Sequence, residues 1–176
     1  MYPVLGILKP DIATNIKALN LVMARFDTLG LNLEDHRMIT ADRELILAHY
    51  NKDEAWLIEH GQTVFKRMAS DGIEHLKSPL EYGQRILDKK VGYMTSGPVI
   101  VLWYSSKDPD IYQKIAEAVG ATEPISAQPG SLRYMLSKDS YEKADAEDRA
   151  LYNSLHCSDS RDEGRRERDL WFPDYA

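Results

Sequence analysis

Hydrophobic positions along this chain fall into a few separate segments, and their spacing alternates between two periods. "PVLGIL" at 3–8 is an unbroken apolar run, partly β-branched and stopped by "KPD". Such a run reads as a buried strand ending in a turn. Ile16, Leu19, Val22, Met23 and Phe26 then recur at helical spacing, and Gly30 stands where a helix C-terminus favours glycine. "LNLEDHRMI" at 31–39 alternates as a half-buried strand does. "TADRELILAHY" at 40–50 predicts a helix that Thr40 could cap, with Leu45, Ile46 and Tyr50 on it.

The middle of the chain is less regular. Between residues 52 and 90, Trp56, Leu57, Phe65, Met68, Leu76, Ile86 and Leu87 predict two or three short helices, with loops at Ser70–Gly72 and Ser78–Pro79. "SGPVIVLWY" at 96–104 is a second strongly apolar strand. "DPDIYQKIAEAVG" gives an amphipathic helix through Ile111, Ile115, Ala118 and Val119, stopping at Gly120. "ATEPISAQPGS" reads as a long polar loop and "LRYML" at 132–136 as the last strand. The stretch at 137–152 is polar and partly helical, and a closing helix buries Leu170, Trp171 and Phe172. With the extra helices set aside, strands and helices alternate as in an α+β sandwich with a four-stranded antiparallel sheet. No repeat or linker divides the chain, so residues 1–176 are expected to form a single domain.

Composition narrows the functional classes. The chain has 176 residues, 43% of them hydrophobic and 28% charged, which suits one globular domain with a proper core. A net charge of −6 argues against a general electrostatic grip on nucleic acid, while a local basic pocket for small phosphates stays open. The single cysteine, Cys157, excludes an internal disulfide and a cysteine-only metal cage. The opening apolar run is too short to span a membrane and no basic region precedes it, so a cytoplasmic location without membrane attachment is expected.

The candidate chemistry centres on "NSLHCSDS" at 153–160. A histidine has an ordinary pKa of ~6.5, so much of it is neutral at pH 7 with one ring nitrogen free to attack. To work as a nucleophile, His156 needs an acceptor holding its other nitrogen. Glu163 and Glu167, one turn apart on the closing helix, are the candidates, with Ser158 as a bridge. Lys9, where the first strand meets a proline turn, and Arg133, after a Pro-Gly turn, are candidate phosphate cations. Thr122 and Asn153 offer neutral hydrogen bonds in loops. Together these residues suit phosphoryl transfer, and the absence of a Gly-rich P-loop disfavours a Walker-type NTPase. His36, His49, His60 and His75 read as surface residues.

In order along the chain, "LKPD" at 8–11, "HY" at 49–50, "MTSGPV" at 94–99, "GATEP" at 120–124, "PGSLR" at 129–133, "NSLHCSDS" and "E...LWF" at 167–172 resemble the nucleoside diphosphate kinase family. The resemblance covers nearly the whole chain. It implies a ferredoxin-like fold and a ping-pong cycle in which His156 takes the terminal phosphoryl group of a nucleoside triphosphate and passes it to a diphosphate. It implies that Glu167 and Ser158 orient that histidine, and that Lys9, Tyr50, Thr122, Arg133 and Asn153 contact phosphates, ribose or the transferring group. Mg²⁺ would arrive on the nucleotide phosphates without a protein metal site of its own. A dimer-based tetramer or hexamer is implied.

The chain also departs from that pattern. Cys157 follows the histidine where the family has glycine or another small residue. It reads as a tolerated small side chain or, alternatively, as a redox-sensitive thiol. Ala116 stands where the family commonly has a phosphate-binding arginine. Lys114, about 200° away around the helix, points elsewhere, and Lys66 or Arg67 are the candidates to replace the charge. The stretches at about 52–90 and 137–152 exceed the short form of the family and resemble insertions. Trp56 and Phe65 are candidates to stack on the base, and Arg165, Arg166 and Arg168 read as a solvated helix face. A silent nucleotide-binding relative and a scaffold of the same fold are the rival readings. The joint presence of Lys9, Arg133, Asn153, His156 and Glu167 argues against both.

Overall fold

A computed structural model describes residues 1–70 and 77–175, with 67–70 described in backbone only. In chain order the elements are β1 (Tyr2–Leu8), α1 (Ile16–Thr28), β2 (Asn32–Ile39), α2 (Arg43–Tyr50), α3 (Glu54–Ser70), α4 (Pro79–Met94), β3 (Val99–Ser106), α5 (Ile111–Val119), α6 (Leu132–Leu136), α7 (Tyr141–Ala146), β4 (Leu155–Cys157) and α8 (Arg161–Trp171). The four strands form one antiparallel sheet in the order β2-β3-β1-β4. This is the expected α+β, ferredoxin-like arrangement, with helical additions between β2 and β3 and between α5 and β4.

The central strand explains the unbroken apolar run. Side chains alternate across a sheet, and both faces of β1 are covered, so every residue from Pro3 to Leu8 is buried. Val4 and Leu8 join Leu102 and Tyr104 of β3 against α1 and α5, where Val22, Phe26, Ile111 and Ile115 pack. Leu5 and Ile7 join Val99 and Val101 on the opposite face, against Ile46, Leu87, Val91, Met94, Trp171 and Phe172. β2, at the edge, is covered on one side only and keeps the alternation that its sequence shows.

Three expectations change. "LRYML" is the helix α6 and not the last strand. A run of five residues fits either period, and here Leu132 and Leu136, four apart, turn one helical face to the core below α1 and α5. The fourth strand is instead the three-residue β4, too short to show any alternation, paired with β1 through Leu8–Leu155, Ile7–His156 and Gly6–Cys157. Second, α2 is capped by Asp42, whose carboxylate accepts the Leu45 N–H at 2.8 Å, and not by Thr40. Third, the region 52–90 holds two long helices. Ser78 starts α4 with a reciprocal cap: its hydroxyl accepts from Glu81 N–H while the Glu81 carboxylate accepts from Ser78 N–H. Leu76 and the loop expected at Ser70–Gly72 lie wholly or partly outside the described residues, as does the Met68 side chain.

Helices α3 and α4 touch backbone to backbone. A Cβ at Gly61 would stand 1.7 Å from the Pro79 carbonyl oxygen, and one at Gly83 would stand 1.9 Å from that of Leu57. Neither obstacle is a flexible side chain, so the helices must move apart to accept a methyl group. Gly83→Ala is therefore expected to destabilise the protein by about 1–3 kcal/mol, read as a lower urea midpoint at unchanged slope; an unshifted midpoint would show that this contact is not under constraint.

Candidate active site

β4 decides where the histidine points. Paired residues of an antiparallel ladder share a face, so His156, opposite Ile7, is directed to the side covered by α2 and α8. Its flanks, Leu155 and Cys157, go to the other side with the α1/α5 core. α8 approaches β1 closely at Gly164, where a Cβ would lie 2.1 Å from the Pro3 carbonyl oxygen. One turn later the same helix delivers Glu167, which is 2% exposed.

Glu167 holds two groups of the preceding strand segment. Its Oε1 lies 2.7 Å from His156 Nε2, and its Oε2 accepts the Ser158 hydroxyl at 2.6 Å. Ser158 Oγ in turn accepts the Leu5 N–H at 3.0 Å, which fixes its rotamer. Burial alone would push the Glu167 carboxyl up, but the attraction and hydrogen bond of His156, with help from Ser158, bring it below the ordinary carboxylate range. An ionised acceptor requires the proton on Nε2 of His156, so the Nδ1 lone pair is the free one. The histidine is the partly open member of the set, with 27% of its side chain exposed.

His49 belongs to this centre, contrary to the surface reading of its sequence position. It is 4% exposed, and its ring meets that of His156 edge to face at 4.7 Å and 87°. Trp171 Nε1–H donates to His49 Nδ1 at 3.2 Å, which makes Nδ1 an acceptor and the ring neutral. Burial and then the neighbouring His156 push its pKa down to about 3. The 3.6 Å approach of His49 Nδ1 to Glu167 Oε1 is therefore not an ion pair. His49, His156 and Glu167 do present ligand atoms within 4.8 Å of one another. A metal bound by Glu167 would have to displace a bond that one of its oxygens already makes, to His156 or to Ser158, so the set does not suit a resident ion.

The cations gather beside this axis. Lys9, immediately after β1, donates its backbone N–H to Ser154 O at 2.8 Å and its amine to Asn153 Oδ1 at 2.6 Å. The amine also lies 5.3 Å from the centre of the Tyr93 ring, whose hydroxyl donates to Asp11. Lys9 is 8% exposed, and burial foremost, with Arg133 and Lys90 against the pull of Asp11, lowers its pKa to about 7. Arg133 on α6 donates from Nε and Nη2 to Leu155 O, at 3.1 and 2.9 Å, and from Nη1 to Gly120 O at 3.0 Å. It thus ties the end of α5 to the strand residue next to His156. Tyr50 at the end of α2 stands between the His49 ring (5.3 Å) and the Lys90 amine (5.7 Å). Thr122 is exposed in the loop that follows Gly120.

Of the predicted site residues, Lys9 and Asn153 form one contact pair and His156, Glu167 and Ser158 a second group, carried on the neighbouring strands β1 and β4. Tyr50 meets the second through His49, and Arg133 bonds Leu155 beside it. Glu163 is not the acceptor: it pairs with Arg166 at 2.7 Å. Arg166 also donates to the carbonyls of Ala48 and His49, holding α8 to α2, so it is not merely solvated. Arg168 pairs with Asp169 and lies over the Trp103 ring, and Arg165 is exposed. Lys114, expected to point away from the Ala116 face, is bound to Asp108. Lys66 is exposed on α3; the Arg67 side chain and His75 lie outside the described residues. Trp56 stacks on His60 at 3.7 Å and faces Lys90, whereas Phe65 packs edge-on against Tyr82 between α3 and α4. His36 is exposed, as expected. Burial pushes the Cys157 thiol up to about 12, which disfavours the reactive thiolate and favours the reading as a packed small side chain. Sequence reasoning missed His49, Asp11 and Lys90; the "HY" pair was a signal for the first.

A sequence model of the nucleoside diphosphate kinase family matches residues 79–176. A nucleoside diphosphate kinase of Pyrobaculum aerophilum is 36% identical over 172 residues, covering 94% of this chain and 92% of that protein. One of Pyrococcus furiosus is 28% identical, covering 96% and 81%. The crystal structure of an NDP kinase from Pyrobaculum aerophilum superposes with a TM-score of 0.87 at 34% identity, over 97% of this chain and 95% of that one. The Borrelia burgdorferi nucleoside diphosphate kinase, solved as a transition-state mimic with vanadate and ADP, shares the fold at a TM-score of 0.73 and 22% identity, over 98% and 88% of the two chains.

The lowered Lys9 pKa makes a stability prediction with a definite sign. Unfolded lysine titrates near 10.4, so between about 7 and 10.4 the unfolded chain binds the extra proton and stability rises with pH. Wild type is expected to gain stability relative to Lys9→Met as pH rises through that window, measured by urea unfolding. Parallel profiles for the two proteins would place the amine in an ordinary solvated state.

Proposed function

The chain belongs to the nucleoside diphosphate kinase family, and from that premise we propose how its own residues carry phosphoryl transfer from a nucleoside triphosphate to a nucleoside diphosphate. The observation that carries the assignment is the buried Glu167–His156 contact, which leaves a single lone pair on a partly exposed imidazole. In the first half-reaction His156 Nδ1 attacks the terminal phosphorus. A P–N bond forms, the P–O bond to the penultimate phosphate breaks, and the diphosphate leaves with that electron pair. The Nε2 proton stays in place, and Glu167 balances the positive charge the ring acquires. The second half-reaction is the reverse, on a different diphosphate.

Little covalent assistance is needed for such a transfer, since the transition state is loose and positioning with charge neutralisation supplies most of the rate. Lys9, held by Asn153, faces the transferring oxygens, while Arg133 fixes the strand and adds positive potential. Tyr50 and Thr122 bind the remainder of the nucleotide. Mg²⁺ comes as part of the substrate, on the nucleotide phosphates. The donor set agrees with this, because both Glu167 oxygens are engaged by hydrogen bonds and the Asp11 carboxylate accepts from Tyr93 and Ser154.

The protein works as a homo-oligomer built on dimers, a tetramer or hexamer, in the cytoplasm. The exposed edge strand β2, with Leu33 and Met38 open, supports association. Among the described residues no helix is long and apolar enough to cross a membrane.

Incubation with labelled ATP and Mg²⁺ is expected to give acid-labile phosphoprotein that transfers its label to an added diphosphate, and His156→Ala is expected to give none. Label retained in that variant moves the chemistry elsewhere, and nucleotide binding without labelling supports a silent relative. Glu167→Gln removes a charge-assisted bond worth about 1.5–3 kcal/mol, so labelling should slow by roughly 10- to 100-fold.

A further inference from the structure

Lys90 is a cation that none of the preceding roles uses. It lies on α4 one turn before Tyr93, the residue whose ring borders Lys9 and whose hydroxyl donates to Asp11. Positions i and i+3 of a helix share a face, so Lys90 and Tyr93 look toward the same space. The Lys90 amine is 5.7 Å from the centre of the Tyr50 ring and 4.9 Å from that of Trp56. Trp56 also receives Lys52 at 5.5 Å. Among the described residues no carboxylate, carbonyl or hydroxyl pairs with the Lys90 amine, whereas its neighbour Lys89 is held by Asp148 at 2.7 Å.

The other cations of the site are already committed. Three of the five N–H groups of Arg133 go to backbone carbonyls, and Lys9 spends one hydrogen on Asn153. Ala116 supplies no charge from α5. Lys90 is half-buried and sits near enough to Lys9 and Lys52 for mutual repulsion, and its pKa is lowered by burial and then by Lys52. A half-buried ammonium held near two others costs free energy unless an anion joins them.

We propose that Lys90 is a nucleotide-binding residue, its amine contacting the phosphates that remain on the nucleoside after transfer while the Tyr50 and Trp56 rings hold its stem. The inference rests on the phosphotransfer reading above and adds a contact to it. Lys9 and Arg133 bond the segment that carries His156, to Asn153 and Leu155, whereas Lys90 connects to the histidine pair through the Tyr50 ring. On this proposal that difference in place assigns the first two to the transferring group and Lys90 to the departing diphosphate. The α4 helix thereby supplies the charge that α5 lacks.

The test compares wild type, Lys90→Met, which keeps an unbranched apolar stem over the rings, and Lys90→Arg, which keeps the charge. Binding of Mg²⁺-ADP and of adenosine is measured by calorimetry at two salt concentrations, alongside labelling by saturating ATP. The expected result is ADP affinity weakened on the order of tenfold or more in Lys90→Met, with a smaller salt dependence and unchanged adenosine affinity. Lys90→Arg should recover most of the loss. ADP affinity within twofold of wild type in Lys90→Met overturns the proposal, leaving the stem as a cover for the aromatic rings. Equal losses for ADP and adenosine, or no recovery in Lys90→Arg, overturn it as well, since a packing role predicts them. Absence of labelling in wild type would instead remove the phosphotransfer reading itself, and this proposal with it.

Discussion

The buried carboxylate of Glu167 is the constraint on which the site depends. An ionised group so deeply placed is costly unless each oxygen is satisfied, by several kcal/mol in proteins generally. Here the satisfaction comes from two side chains of one short strand segment, His156 and Ser158, and Ser158 is itself fixed by the Leu5 amide. The carboxylate therefore bonds the closing helix to both β4 and the central strand β1. The same requirement sets the imidazole tautomer. A strand of three residues has little pairing energy of its own, and β4 is held as much by these side-chain bonds, and by Arg133 on Leu155 O, as by its ladder with β1.

His49 shows how that constraint spreads. Its ring fills the space between Trp171 and His156, and a charged imidazole there would oppose the charge that the proposed phosphorylation places on His156. The Trp171 N–H removes the conflict by taking the Nδ1 lone pair and keeping the ring neutral. Arg166 then anchors the end of α2 through the carbonyls of Ala48 and His49. One helix thus supplies the orienting carboxylate, the tautomer lock on the second histidine and the clamp on the segment carrying it. Residues 163, 164, 166, 167 and 171 could not be exchanged independently without disturbing the reacting ring.

Much of this is legible in the sequence because the signals are long. The two apolar runs give β1 and β3, the 3.6-residue periods give α1 and α5, and the ordered motifs bring Lys9, Asn153, His156, Ser158 and Glu167 together. The failures have a common cause. "LRYML" and "LHC" are too short for period to distinguish helix from strand, so the last strand reads as the first of these when it is the second. The choice between Glu163 and Glu167 cannot be made from helical spacing, because both fit; partner chemistry decides it, as Glu163 meets Arg166 first. His49 and Lys90 are invisible for another reason. Each is defined by what surrounds it in space: Lys90 carries no local pattern, and the "HY" pair marks position 49 without showing that its ring is buried against His156.

The long α3–α4 hairpin changes what the departure at Ala116 means. A cation projecting from α5 would reach the site from the helix that also packs the opposite core, whereas Lys90 reaches it from a helix locked to its neighbour by backbone contact at Gly61 and Gly83. A lysine stem has about 2 kcal/mol of rotamer entropy to lose, and confinement between the Tyr50 and Trp56 rings removes part of that freedom before any ligand arrives. Cation–π attraction offsets part of the desolvation of the amine without occupying its hydrogens. The ammonium is thus held in place yet left with donors to give. That combination is difficult to obtain with a carboxylate partner, which would position the charge and neutralise it in the same act.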